Sequence, residues 1–317
     1  MAPDTFATLL GQDQAIALLK GAIASDRIAP AYLFAGSPGI GRSLAARAFI
    51  EVLFCTGIPA EKQPSVQRRL RQGNHPDVLW VEPTYVHNGT RLSATEAAQK
   101  GLIRKAPPQI RLEQIREISQ FLSRSALEAP QKVVVIDQAE TMAEAAANGL
   151  LKTLEEPGRA TLILIAPSID SLLPTLVSRC QRIPFYRLAQ ADMATVLRDT
   201  GHEEILNEPS VLAIAQGSPG EAIAAFEQLQ SIPPQLLAEA TQLPKSPRKA
   251  LELAKEIAQT LDTEAQLWLV DYLQHCYWQH QHQTSIIQQL EQARKYLLGY
   301  AQPRLVWEVT LLELSQS

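Results

Sequence analysis

At 317 residues, 46% of them hydrophobic, the chain is long enough for two or three domains with cores of their own. A formal net charge of -4 does not advertise strong autonomous binding to nucleic acid, and no run of about 18 apolar residues is present to span a membrane. The three widely spaced cysteines, Cys55, Cys180 and Cys276, argue against a disulfide framework or a zinc set and point to a reducing, cytoplasmic compartment.

The opening residues Met1 to Phe6 lack the basic patch and apolar core of a secretory signal. Residues 9–24 read as a helix with Ile16, Leu19 and Ile23 on one face. Ala31-Tyr32-Leu33-Phe34-Ala35 is an apolar strand. It runs into Gly36-Ser37-Pro38-Gly39-Ile40-Gly41-Arg42-Ser43, and a helix follows with Leu44, Ala48 and Val52 inward. Residues 56–77 are polar; Arg68, Arg69 and Arg71 read as a solvated helix face, or as a weak nucleic-acid footprint. Val78 to Val81 is expected to be a second buried strand. Residues 83–110 read as loop, with a turn at Asn88-Gly89 and a stop at Pro107-Pro108. The next helix carries Ile115, Ile118 and Leu122 on one side.

Val133-Val134-Val135-Ile136-Asp137 has the β-branched run of a central parallel strand, with the Asp at its carboxyl end, where open α/β sheets bind ligands. Thr141 to Leu154 reads as helix, Thr161 to Ile165 as another buried strand, and Ile183-Pro184-Phe185 as an edge strand. Five strands alternating with helices make a doubly wound α/β domain ending near residue 186. Beyond it the chain is helical. Short helices surround Gly217-Ser218-Pro219-Gly220, and breaks fall at Ile232-Pro233-Pro234 and Pro244 to Pro247. Apolar stripes follow at Leu269, Tyr272, Leu273 and Cys276, then Ile286, Leu290, Ala293 and Leu297, then Leu305, Val309 and Leu312. These stripes serve either a core or an oligomer interface.

Strand, glycine-rich loop and helix, in that order, form a frame for phosphate: the glycines let backbone N–H groups curl around the anion, and the helix N-terminus adds its dipole. Gly36, Gly41 and Ser43 match the pattern G-x-x-x-x-G-K-[ST], whereas Arg42 stands where lysine is expected. Ser43 and Asp137 fit the two Mg²⁺-holding roles. Gln138 follows the Asp; its amide can orient water but cannot take a proton. The loop is thus either a working site or a folded, empty shell. Arg179 is either an arginine finger for a neighbour's γ-phosphate or a surface Arg paired with a carboxylate. His275, His280 and His282 lie near Trp278, but 280 and 282 fall on different helix faces, which suits a polar helix end better than a metal site.

Several strings together resemble a known family: Leu10-Gly11-Gln12, Ala31 to Phe34, His75-Pro76-Asp77, Val133 to Asp137, Asn148 to Pro157 and Ser178-Arg179-Cys180. They are similar to the delta-prime subunits of the bacterial DNA polymerase III clamp loader, which are AAA+ proteins, over most of residues 6–186. The string Leu150-Leu151-Lys152-Thr153-Leu154-Glu155-Glu156-Pro157 joined to a downstream Ser-Arg-Cys is specific to clamp-loader subunits. Motor members keep the loop lysine, an Asp-Glu pair and a Gly-x-x-Arg arginine. Arg42, Gln138 and Gly220 stand at those places here, which favours delta-prime over a motor. Many relatives carry four zinc cysteines after the loop helix; only Cys55 lies in that interval, so no metal is expected.

The resemblance implies an AAA+ P-loop domain over 1–186, a helical lid over 187–240 and a helical collar over 241–317. It implies a role in loading the sliding clamp onto primed DNA, in a hetero-pentamer with gamma/tau motor subunits and delta. Gly36, Gly39, Gly41, Arg42, Ser43 and Asp137 would form a degenerate ATP/Mg site, with no cofactor required and ATP or ADP held weakly at most. Arg179 would act in trans on an adjacent motor, with Ser168 the nearest hydroxyl for a first sensor. The chain would have no polymerase site of its own and little or no ATPase alone. The alternatives are an ATP-hydrolysing motor subunit and a scaffold without catalytic contribution.

Overall fold

The structure, a computed structural model, describes residues 5–87, 89–99, 107–156, 158–281 and 283–315. Asn88, Pro157 and His282, which figure in the sequence reading, lie outside the described residues. The chain divides into two compact units, Met1–Asp192 and Met193–Ser317, each described by itself.

The first unit begins with α1 (Asp13–Ala24), β1 (Ala31–Ala35), α2 (Arg42–Cys55), α3 (Gln63–Arg71) and β2 (Val78–Val81). A hairpin of β3 (Tyr85–His87) and β4 (Thr90–Leu92) follows, then α4 (Ala94–Gln99) and α5 (Leu112–Leu122). The unit closes with β5 (Lys132–Ile136), α6 (Glu144–Glu155), β6 (Ala160–Ala166), α7 (Pro174–Val177) and β7 (Gln181–Pro184). Among the described residues, five strands form one parallel sheet in the order β2-β5-β6-β1-β7. Every residue of β5 and β6 is buried, as a strand covered on both faces must be.

Four expectations are corrected here. Val78–Val81 is the half-buried edge of the sheet rather than a buried strand, since β5 flanks it on one side only. The 83–110 stretch is not all loop: it holds the β3–β4 hairpin and α4, with Gly89 at φ +76° in the turn. On α2, Ala48 is buried as expected and Val52 half-buried, but Leu44 is 57% exposed, and the rest of the inward face is Ala45, Ala46, Phe49, Ile50, Leu53 and Phe54. On α1 the buried face is Ala15, Leu19 and Ala22, with Ile16 and Ile23 half-buried at its sides. Arg68, Arg69 and Arg71 end the exposed helix α3, and Arg69 pairs with Glu128 at 2.6 Å.

The His75-Pro76-Asp77 string has a structural task. Asp77 is wholly buried, and its carboxylate accepts the backbone N–H groups of Leu127, Glu128 and Ala129 at 2.7, 2.7 and 2.8 Å. The carboxylate therefore fixes the loop between α5 and β5 to the start of the edge strand.

The second unit contains α8 (Gln190–Asp199, whose first turn carries the division between units), α9 (Pro209–Ala215), α10 (Pro219–Ser231), α11 (Pro234–Ala240), α12 (Pro247–Thr260), α13 (Thr263–Gln281), α14 (Thr284–Leu298) and α15 (Pro303–Leu314). One core joins α11 to α15: Ile232, Leu236 and Ala240 share it with Leu253, Leu269, Leu290 and Trp307. The α14 stripe of Ile286, Leu290, Ala293 and Leu297 is buried as expected. On α13, Leu269 and Leu273 are buried, while Tyr272 and Cys276 are half-buried. The α15 stripe is corrected. Val306, Trp307, Thr310, Leu311 and Leu314 face inward, leaving Leu305 56% and Val309 47% exposed. Trp307 decides this register, because its buried Nε1 donates to Gln266 Oε1 at 2.9 Å, and Gln266 Nε2 in turn donates to the Leu261 carbonyl at 2.8 Å. Among the described residues no helix is long and apolar enough to cross a membrane.

Burial acts to raise the Asp77 carboxyl pKa, but the backbone donors and nearby His75 outweigh it and hold the group below its ordinary value of 3.8. Stability from such a group is fully present above its unfolded pKa and is lost as pH falls through the folded one. Asp77→Asn is expected to cost about 2 kcal/mol near neutral pH by weakening these bonds, and to flatten the acid limb of stability. Urea unfolding of both proteins from neutral to acid pH measures this; parallel acid limbs would refute it.

Candidate functional site: a phosphate loop with altered chemistry

The loop rises from the carboxyl end of β1, next to β6 and β7. Gly36 has no room for a side chain: a Cβ would lie 2.5 Å from the Phe185 carbonyl oxygen and 2.8 Å from Ile40 Cδ1. Gly41, the residue before α2, has φ +100°, a left-handed conformation that glycine adopts without strain. It turns the chain so that the first N–H groups of α2, which have no partner within the helix, point back toward the loop. Gly39 is likewise left-handed, at φ +71°.

Gln12 holds this loop in place. It is 1% exposed, and its Nε2 donates to the carbonyls of Ile40 at 3.3 Å and Tyr186 at 2.7 Å. Its Oε1 accepts the Tyr186 N–H at 3.1 Å. One carboxamide thus ties the loop to the chain leaving β7.

The fold brings Ser43 and Asp137 together across 94 residues: Ser43 Oγ donates to Asp137 Oδ2 at 3.0 Å. Asp137 Oδ1 accepts the Gln138 N–H at 2.9 Å. A hydroxyl and a carboxylate side by side suit Mg²⁺, which keeps several waters and takes few protein oxygens; these two residues would hold it, and the ion would supply charge against phosphate oxygens. Gln138 is exposed, at φ +50°. Its amide can orient a water but cannot remove its proton.

Glu140, in the turn Ala139–Thr141 after β5, bears on the same place. Burial lifts its carboxyl above the ordinary value; Arg42 opposes the shift and Asp137 adds to it. Arg42 therefore lies in the field of a carboxylate from its own chain, which discounts its pull on an incoming phosphate.

Arg179 sits apart from the loop, after α7 and before β7. Its guanidinium donates to the Thr175 carbonyl at 2.9 Å and to Glu155 Oε1 at 2.7 Å, and its side chain is 37% exposed. In the chain alone it is paired with a carboxylate. Neighbouring Cys180 is half-buried, and burial pushes its thiol up to about 11, away from reactivity. Ser168 is exposed, two residues beyond β6. Gly220 lies in the first turn of α10, behind Gly217 at φ +86° and Ser218, whose Oγ caps the helix by accepting the Glu221 N–H at 3.2 Å. Among the described residues no group of three His, Cys, Asp or Glu could hold a metal.

The family model for DNA polymerase III, delta subunit, matches residues 11–189, and that for the cyanobacterial DNA polymerase III delta prime, C-terminal domain, matches 191–314. The chain belongs to the DNA polymerase III delta-prime family. It is 35% identical over 180 residues to DNA polymerase III subunit delta' of Bacillus subtilis, covering 56% of this chain and 48% of that one. It is 33% identical over 199 residues to subunit delta' of Pseudomonas aeruginosa, covering 60% and 54%. The chain thus spans about half the length of these delta-prime relatives. A solved DNA polymerase III gamma subunit-related protein from Thermotoga maritima shares the fold, with TM-score 0.57 at 16% identity, over 96% of this chain and 99% of that one. The parallel sheet, its phosphate loop and the helical remainder agree with the AAA+ architecture expected of delta-prime.

Sequence reading placed the loop, Ser43 and Asp137, and the fold joins them. It missed Gln12, Glu140 and Glu155 as participants. Gln12 stood inside a string that marks delta-prime, but its partners lie 28 and 174 residues away. Glu140 was legible only as an acid three residues beyond Asp137.

Gln12→Leu would leave the Tyr186 N–H and two carbonyls without their partner. The expected loss is about 2 kcal/mol in the first unit, with faster amide exchange at Ile40 and Tyr186. Hydrogen exchange on the intact chain reads this, and unchanged protection at both positions would count against the assigned role.

Proposed function

We propose that this delta-prime chain is a clamp-loader subunit that contributes geometry and one arginine to ATP hydrolysis by a neighbour, rather than hydrolysing ATP itself. The observation that carries this is the pairing of a well-built phosphate frame with Gln138 where a general base would stand and Arg42 opposed by Glu140. Its own site needs no cofactor in this role; Ser43 and Asp137 could retain Mg-ATP or Mg-ADP weakly.

The proposed partners are gamma/tau-type motor subunits and delta in a hetero-pentamer, acting through that assembly on the sliding clamp and primed DNA in the cytoplasm. A lid covers the first helices of the second unit and a collar the rest. Their division is proposed near Ile232, because Ile232, Leu236 and Ala240 belong to the core of the later helices. In this reading Arg179 leaves Glu155 on assembly and meets the γ-phosphate at the adjacent motor, where a guanidinium offsets charge in the transition state. An exposed ion pair is worth about 0–1 kcal/mol, so exchanging Glu155 for a phosphate is not costly.

The test uses the reconstituted complex. Arg179→Ala is expected to cut ATP turnover several-fold without preventing assembly, whereas Glu155→Gln, which frees the arginine, leaves turnover unchanged or raises it. Unchanged turnover in Arg179→Ala, or equal losses in both variants, would overturn the assignment. Sustained phosphate release by the chain alone would favour the motor-subunit alternative.

The outward residues of α15 support the collar. Leu305 and Val309 lie one helical turn apart and exposed, next to a core that does not need them. Leu305→Glu with Val309→Glu is expected to weaken assembly on size-exclusion chromatography while changing the stability of the free chain by only about 0.5 kcal/mol per site. Intact assembly would place the interface elsewhere.

A further inference from the structure

We infer that a cationic cavity at the amino-terminal end of the sheet is a binding site for a compact polyphosphate: pyrophosphate, or the diphosphate end of a nucleotide. The cavity holds about 450 Å³. Ser123, Arg124 and Ser125 line it from the loop after α5, Lys132 from the first position of β5, and Arg159 from the residue before β6. It lies at the strand starts, whereas the phosphate loop lies at the strand ends, so the inference does not rest on the proposed function.

The charge is one-sided. No Asp or Glu lines the cavity, and among the described residues none pairs with Arg124 or Arg159. Lys132 is 5% exposed; its Nζ donates to the Phe121 carbonyl at 2.5 Å and lies 4.3 Å from the centre of the Phe121 ring. Phe121 is in the last turn of α5, whose carbonyl end favours a cation, and this accounts for the buried lysine. It does not account for two further arginines lining the same cavity with no acidic residue in its lining. Arg124 and Arg159 are exposed, so no buried charge is left unpaired; the cluster is a one-sided patch of like charges that repel one another, and an entering phosphate relieves that repulsion.

The donor set selects the ligand. Guanidinium groups meet phosphate oxygens with two parallel N–H donors, the ammonium supplies a point charge, and serine hydroxyls complete the shell. One phosphate carries about two negative charges at most, short of three cations, whereas two linked phosphates come close to matching them.

Titration calorimetry of the full chain with sodium pyrophosphate at low salt tests this. The expected result is saturable binding that weakens about tenfold or more in Arg124→Gln and in Arg159→Gln, the scale of one lost charge-assisted hydrogen bond. Both arginines are exposed, so the variants are expected to fold, with circular dichroism as the check. Binding should survive Arg42→Ala, which reports on the phosphate loop instead. A parallel ADP titration distinguishes the sources: tighter, variant-sensitive ADP binding assigns a nucleotide, and weaker binding assigns free pyrophosphate. No saturable heat, binding indifferent to both variants, loss in Arg42→Ala, or preference for a short oligothymidylate over pyrophosphate would each overturn the proposal.

Discussion

Gly36 touches the carbonyl of Phe185, and much of the first unit is arranged around that approach. The contact fixes β7 against the turn that leaves β1, and only a residue without a Cβ permits it. Gln12 reinforces it from the amino-terminal side by bonding Ile40 on the loop and Tyr186 beyond β7. The shape of the loop is therefore imposed by protein packing around it. A phosphate frame built this way keeps its form with Arg42 in place of lysine and Gln138 in place of an acid, because neither residue carries the geometry.

Side-chain chemistry is distributed unevenly around this frame. Ser43 and Asp137 satisfy one another, Glu140 sits in the field of Arg42, and the residue after Asp137 has no basic carboxylate. The arginine with a catalytic reading, Arg179, is displaced to the turn before the edge strand and rests on Glu155. The self-contained part of the site and the outward-looking part are thus separate.

Where one face of an element had a single apolar solution, its burial was legible in the sequence. The runs at Val133–Ile136 and Leu162–Ile165 could only be central strands, and Ile286, Leu290, Ala293 and Leu297 offered α14 one stripe. Where two solutions competed, pattern alone was insufficient. On α15, Leu305–Val309 and Val306–Thr310 are both helical stripes, and the choice came from Trp307 reaching Gln266 across 41 residues. On α2, Ala45, Ala46 and Ala48 are buried while the larger Leu44 is exposed, an order that hydrophobicity alone does not encode. The β3–β4 hairpin, three residues a side, carried too little alternation to stand out from its turn. In the site, residue types at fixed local spacing were legible; Gln12 and Glu155, whose roles depend on distant partners, were not.

The buried centre of the sheet has a cost before the chain is folded. Ala160–Ala166 is seven residues, all buried in the native state, with no charge and no proline. Together with the β-branched run of β5 it has the composition of segments that stack into cross-β fibrils when left exposed. Parallel pairing also delays their protection, because β6 finds β1 only after more than a hundred intervening residues have been made. Lys132 and Arg159, at the heads of these two strands, stand where charges interrupt such stacking. Charges so placed suit the part of gatekeepers for the nascent chain, during the interval in which its most apolar strands have no partners.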